Sequence, residues 1–92
     1  MSIQRLIDIV QEAYPDTEVL IRTNISGKIV VRNPETETVE MPARYFANLI
    51  CRSSSTSPNF YRAYGPTMEQ ALILAISLRD PQLLASRGWY GG

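Results

Sequence analysis

The stretch 67–79 constrains this chain more than any other. Thr67 precedes Met68-Glu69-Gln70, the spacing at which a threonine hydroxyl and a glutamine three residues on cap a helix start reciprocally. Ala71, Leu72, Ala75, Ile76 and Leu78 follow, and they predict a strongly apolar helix over residues 68–79. A helix this apolar needs a broad surface to cover it. The Val-, Ile- and Thr-rich segments elsewhere in the chain point to a sheet as that surface.

Upstream, Ile3, Leu6, Ile7, Val10 and Tyr14 recur at helical spacing after Ser2, a candidate N-cap, and Pro15 stops the pattern, so residues 3–14 read as a first helix. Asp8 and Glu12 fall one turn apart on its outer side and read as a solvated face. Residues 17–23 and 28–33 read as two strands of a hairpin, with Ile25-Ser26-Gly27 as its loop and Gly27 at the left-handed position. That register pairs Thr23 with Ile29, Arg22 with Val30 and Ile21 with Val31. It would put Val19, Ile21, Thr23, Ile29 and Val31 on a core side, and Leu20, Arg22, Asn24, Lys28, Val30 and Arg32 on an open, basic side.

Asn33-Pro34-Glu35 makes the next turn, and residues 37–41 read as a third strand with Glu40 across from Val30. In residues 43–53, Tyr45, Phe46, Leu49 and Ile50 fit one face of a short helix opened by Pro42, while the second half also fits a strand running into Arg52. The helix is the preferred reading. A serine-rich loop at 53–58 leads to a strand over 59–64, in which Phe60 and Tyr64 share a face and read as core. After the long helix, Asp80-Pro81 opens a short helix that Gly88 ends, and residues 89–92 read as a flexible tail. The predicted fold is a single α+β domain over residues 1–92, an antiparallel sheet of three to four strands with helices on one face.

Ninety-two residues suffice to close one core, and 45% hydrophobic with 20% charged residues is an ordinary globular composition. No apolar run approaches the roughly 20 residues of a spanning helix. The single cysteine, Cys51, cannot form an internal disulfide, which points to the cytoplasm. In that compartment the glycosylation triplet Asn24-Ile25-Ser26 is coincidental.

Enzyme chemistry finds little purchase here. Without histidine, a serine or cysteine nucleophile lacks its usual base, and zinc would have only one cysteine and carboxylates to hold it. No glycine is followed by the lysine and hydroxyl of a phosphate loop. We expect no catalytic residues, no metal, no cofactor and no small-molecule substrate.

Binding is the remaining expectation. Nine basic residues balance nine acidic ones, and eight of the nine bases are arginine, whose planar fork suits phosphate and carboxylate. The charges lie in blocks: residues 19–34 carry Arg22, Lys28 and Arg32 with no acid, and residues 35–40 carry three acids with no base. Arg22, Asn24, Lys28 and Arg32 on the hairpin, with Tyr61 and Arg62 from Asn59-Phe60-Tyr61-Arg62-Ala63-Tyr64, form the candidate partner or nucleic-acid site.

The run Phe60-Tyr61-Arg62-Ala63-Tyr64-Gly65-Pro66-Thr67, leading into Met68-Glu69-Gln70-Ala71-Leu72, resembles small phage and prophage proteins with helices packed on an antiparallel sheet. In size and in its whole length the chain looks like a type I-F anti-CRISPR protein. That resemblance carries no residue roles. It implies a non-enzymatic inhibitor in the cytoplasm of an infected bacterium that docks on the RNA-guided surveillance complex, on its Cas proteins and guide RNA backbone, as a DNA mimic or blocker that keeps target DNA from the guide. Two other expectations fit the residues: a freestanding phage nucleic-acid-binding or regulatory module, and a virion structural subunit.

Overall fold

The computed structural model describes residues 3–32, 38–51 and 59–89 of the chain. The elements in order are α1 (Ile3–Ala13), β1 (Thr17–Thr23), β2 (Lys28–Arg32), β3 (Thr38–Pro42), β4 (Tyr45–Cys51), β5 (Asn59–Gly65), α2 (Met68–Arg79) and α3 (Leu83–Ser86). The fold is α+β, with a three-stranded antiparallel sheet in the order β1-β4-β5 and helices packed against it.

Helix α2 has the expected bounds. Thr67 sits in extended backbone and its hydroxyl accepts from the Gln70 N–H at 3.1 Å, which closes one of the four unpaired donors at the helix start. Ala71, Leu72, Ala75 and Ile76 are fully buried against β4 and β5, and α1 adds Leu6, Ile9 and Val10 to the same core. Full burial of Leu72 or Ile76 is worth about 1.5–3 kcal/mol each. Gly65, the last residue of β5, is what lets α2 start so close to the sheet. A Cβ there would lie 2.7 Å from the backbone nitrogen of Ala71.

The expected hairpin between β1 and β2 does not form. β1 pairs with β4, from Thr17↔Cys51 to Thr23↔Tyr45, whereas β2 pairs with β3, from Lys28↔Pro42 to Arg32↔Thr38, as a separate two-stranded sheet. Residues 24–27 do turn as glycine chemistry suggested, with the Gly27 N–H donating to the Asn24 carbonyl at 3.0 Å and φ of +69° at Gly27. The turn bends one long strand instead of reversing it. Asn24 N–H donates to Arg44 O at 2.7 Å and Ala43 N–H to Gly27 O at 2.9 Å, so the ladder continues across the bend while Ile25 and Ser26 loop out. The pairing of Val30 with Glu40 is as expected.

The second correction concerns residues 45–51. They form β4, the central strand of the three-stranded sheet, and not a helix. A central strand is apolar on both faces, and its run of apolar residues imitates a helical stripe. Trp89 is a third correction: it is 6% exposed and packs in the core, with its backbone N–H donating to the Leu84 carbonyl at 2.9 Å, so the predicted tail does not begin there. The first helix ends at Ala13, one residue short of the expected Tyr14. Ser2, the turn at 33–35, Arg52, the serine loop and residues 90–92 lie outside the described residues.

Candidate interface on the helix-free sheet face

Alternation along the strands divides the sheet into two surfaces. Val19 and Ile21 of β1, Ala47 and Leu49 of β4, and Tyr61 and Ala63 of β5 turn towards the helices. The opposite face is built of three cross-strand rows: Arg22–Phe46–Tyr64, Leu20–Asn48–Arg62 and Glu18–Ile50–Phe60. Phe60 is 59% exposed there. Phe46 and Tyr64 are half-buried and form a tilted pair, with ring centroids 5.7 Å apart and planes at 48°.

Two arginines frame this aromatic pair. The Arg62 guanidinium carbon lies 5.2 Å from the Phe46 ring centroid, within cation–π range, and Arg22 is exposed beside Phe46 on β1. Among the described residues no carboxylate pairs with either guanidinium. Asn48 sits at the centre of the face. It is 3% exposed, and its Oδ1 has no hydrogen-bond partner. An acceptor left buried and unpaired costs about 1–3 kcal/mol, so its retention at the middle of an open face singles it out.

The sequence-predicted site is only partly assembled. Arg22 and Arg62 share the open face, two strands apart. Lys28 is exposed but lies beyond the bend, and Arg32 belongs to the second sheet, so neither stands in a cross-strand row with Arg22. Asn24 is structural: its Nδ2 donates to Ala43 O at 2.8 Å and to Lys28 O at 3.2 Å, which holds the bend. Tyr61 points to the helix side, half-buried against the core, 5.9 Å from the Arg79 guanidinium. Phe60 and Tyr64, read as core, belong to the open face. The helical reading of residues 43–53 puts Phe46 on one helix face with Tyr45, Leu49 and Ile50, and it hides the period-two alternation that brings Phe46 and Asn48 to the same surface.

A second polar cluster lies where α1 and α2 end. Arg79 Nη1 donates to Thr17 Oγ1 at 2.6 Å and to Cys51 Sγ, and its guanidinium carbon stacks 3.7 Å from the Tyr14 ring centroid. Tyr14 Oη donates to Asp80 Oδ2 at 2.7 Å. That bond, more than burial, holds the Tyr14 hydroxyl above its usual range, and it holds the Asp80 carboxyl below its own, helped by the Gln82 N–H. Cys51 is buried at 5% exposure and sits inside this cluster. The shallow depression beside it, of about 130 Å³, is lined by Tyr14, Thr17 and Arg79 and is too small for a metabolite. A larger one, of about 330 Å³, opens at the start of α2 between Arg44, Tyr45 and Glu69.

Among the described residues there is no group of three His, Cys, Asp or Glu side chains able to hold a metal ion, and no helix is long and apolar enough to cross a membrane. No protein-family model matches the chain, and no curated protein or solved structure matches it either. The fold and face describe a small α+β protein with one sheet surface that none of the described helices covers.

Proposed function

We propose that this chain is a non-enzymatic inhibitor that docks on an RNA-guided CRISPR surveillance complex in the cytoplasm of an infected bacterium and keeps target DNA from the guide. The helix-free sheet face carries this reading. Phe46, Phe60 and Tyr64 supply broad rigid contact area at low entropic cost, and Arg22 and Arg62 supply cations free to meet the phosphates that such complexes hold in open channels. Aromatic and arginine side chains dominate the binding energy of interfaces generally, and here they converge on one surface. The likeness of the whole chain to type I-F anti-CRISPR proteins supplies the partner.

The test is capture and competition. Immobilised full-length chain should retain the assembled type I-F complex from a lysate, and pre-incubation should abolish the complex's shift of target double-stranded DNA. A Phe46→Ala, Arg62→Glu double variant with an unchanged circular dichroism spectrum should do neither. Failure of the parent chain to retain the complex, or full inhibition by the double variant, overturns the reading.

A further inference from the structure

We infer, resting on the function proposed above, that the open sheet face takes unpaired bases of a single nucleic-acid strand, with Asn48 as the group that meets a base edge. Three observations converge on this chemistry. The first is the platform. Phe46 and Tyr64 adjoin across β4 and β5, and Phe60 stands four residues from Tyr64 on the same strand, about 14 Å along it. Planar rings at that spacing serve more than one nucleotide, and every base has a face to stack on them.

The second observation is the charge. Arg22 and Arg62 project from the two outer strands, one cross-strand row apart and so about 12 Å from each other, with Phe46 on the strand between them. Arg62 already rests against the Phe46 ring, where a base would stack. An incoming base displaces the guanidinium from that ring to a phosphate, exchanging a cation–π contact for a charge-assisted hydrogen bond. Arg62 thus covers the platform in the free protein and holds the strand in the bound one.

The third observation is Asn48 Oδ1, buried, unpartnered and in the row of Arg62. An acceptor at this position has no structural reason to be there, since a β-branched aliphatic residue would fill a central strand better. A base offers what it lacks, an exocyclic amine or ring N–H. Arg62, its cross-strand neighbour, is the side chain that would have to move aside for a base to reach it. A protein partner would satisfy the aromatic rings equally well, but a flat array of rings, two unpaired guanidiniums and one buried acceptor match a base, its phosphate and its edge one for one.

Fluorescence anisotropy on the full chain tests this, with labelled oligocytidylate of about ten nucleotides as ribose and deoxyribose strands, and a duplex of the same length. Single strands should bind at least about tenfold more tightly than duplex, and Phe46→Ala or Phe60→Ala should each weaken binding about tenfold. The ribose and deoxyribose arms distinguish guide RNA from displaced DNA as the natural strand. Asn48→Val separates recognition from structure: it should raise the thermal midpoint and still weaken binding severalfold. Equal affinity for duplex, indifference to loss of either ring, or undiminished binding by Asn48→Val overturns the inference. Retention of the surveillance complex without single-strand binding overturns this inference alone. Single-strand binding without retention of the complex overturns the inhibitor reading and leaves the strand-binding face standing.

Discussion

Tyr14 and Asp80 show how one hydrogen bond shapes the response of the whole domain to pH. The bond raises the tyrosine's pKa and lowers the aspartate's, and the sign of each contribution follows from which form the folded state prefers. Asp80 is favoured as the carboxylate, so its contribution is present above the unfolded aspartate value, near 3.8, and is lost as pH falls through the depressed folded value. Tyr14 is favoured protonated, so its contribution is full below about pH 10 and is lost as pH rises through the raised folded value. We expect the denaturation midpoint of the parent to hold a plateau between these limits and to fall on both sides. In Tyr14→Phe the alkaline fall due to this group should vanish and the acid fall should shrink. A Tyr14→Phe variant whose alkaline and acid limbs superimpose on the parent's would show that the bond does not hold in solution.

The elements differ in how far local sequence determines them, and α2 and β4 mark the extremes. Everything that starts and stops α2 lies within it or beside it: the Thr67 cap, the apolar run and Asp80 beyond it, whose N–H bonds back to Ile76 O. Its bounds were therefore legible. β4 has Tyr45, Ala47, Leu49 and Cys51 on one side and Phe46, Asn48 and Ile50 on the other, so apolar residues occur on both and period-two alternation is blurred. Nor does any local signal say that residues 17–23 pair with 45–51 in preference to 28–32. Asn24 to Gly27 has the chemistry of a hairpin loop, and only the long-range partner of β1 reveals it as a bend. The site has the same cause: Arg22 and Arg62 show as charges, whereas Phe60 and Tyr64 read as core and Phe46 as part of a helix. Two substitutions test the packing around α2. Leu72→Ala, at a fully buried position, should cost about 2–4 kcal/mol in denaturant melts. Gly65→Ala, which places a methyl group against the α2 backbone, should cost about 1–3 kcal/mol although it adds apolar volume. A neutral Gly65→Ala would mean that α2 does not start against β5 as described.

At the scale of the molecule, the radius of gyration of 14.1 Å exceeds the roughly 12 Å expected of a compact chain of this length. Zero net charge also limits what the whole protein can do with a polyanion. If Arg22 and Arg62 alone meet phosphates, the logarithm of single-strand affinity should fall with the logarithm of salt concentration at a slope of about −1.4. A slope steeper than about −3 would bring cations outside the open face into the contact. Shallow dependence of this kind leaves rings and the Asn48 acceptor to supply most of the binding.

The alternation of β4 has a consequence for how such a protein can diverge. Its odd-numbered residues from Tyr45 to Cys51 hold the helices, and the even-numbered residues between them face outwards, so the two duties fall on separate codons of a single short strand. Substitution of Phe46, Asn48 and Ile50 can change the outward surface without disturbing Ala47 or Leu49. What the strand cannot survive is a one-codon insertion or deletion, which would exchange the two sets and turn the core side outwards and the outward side to the core.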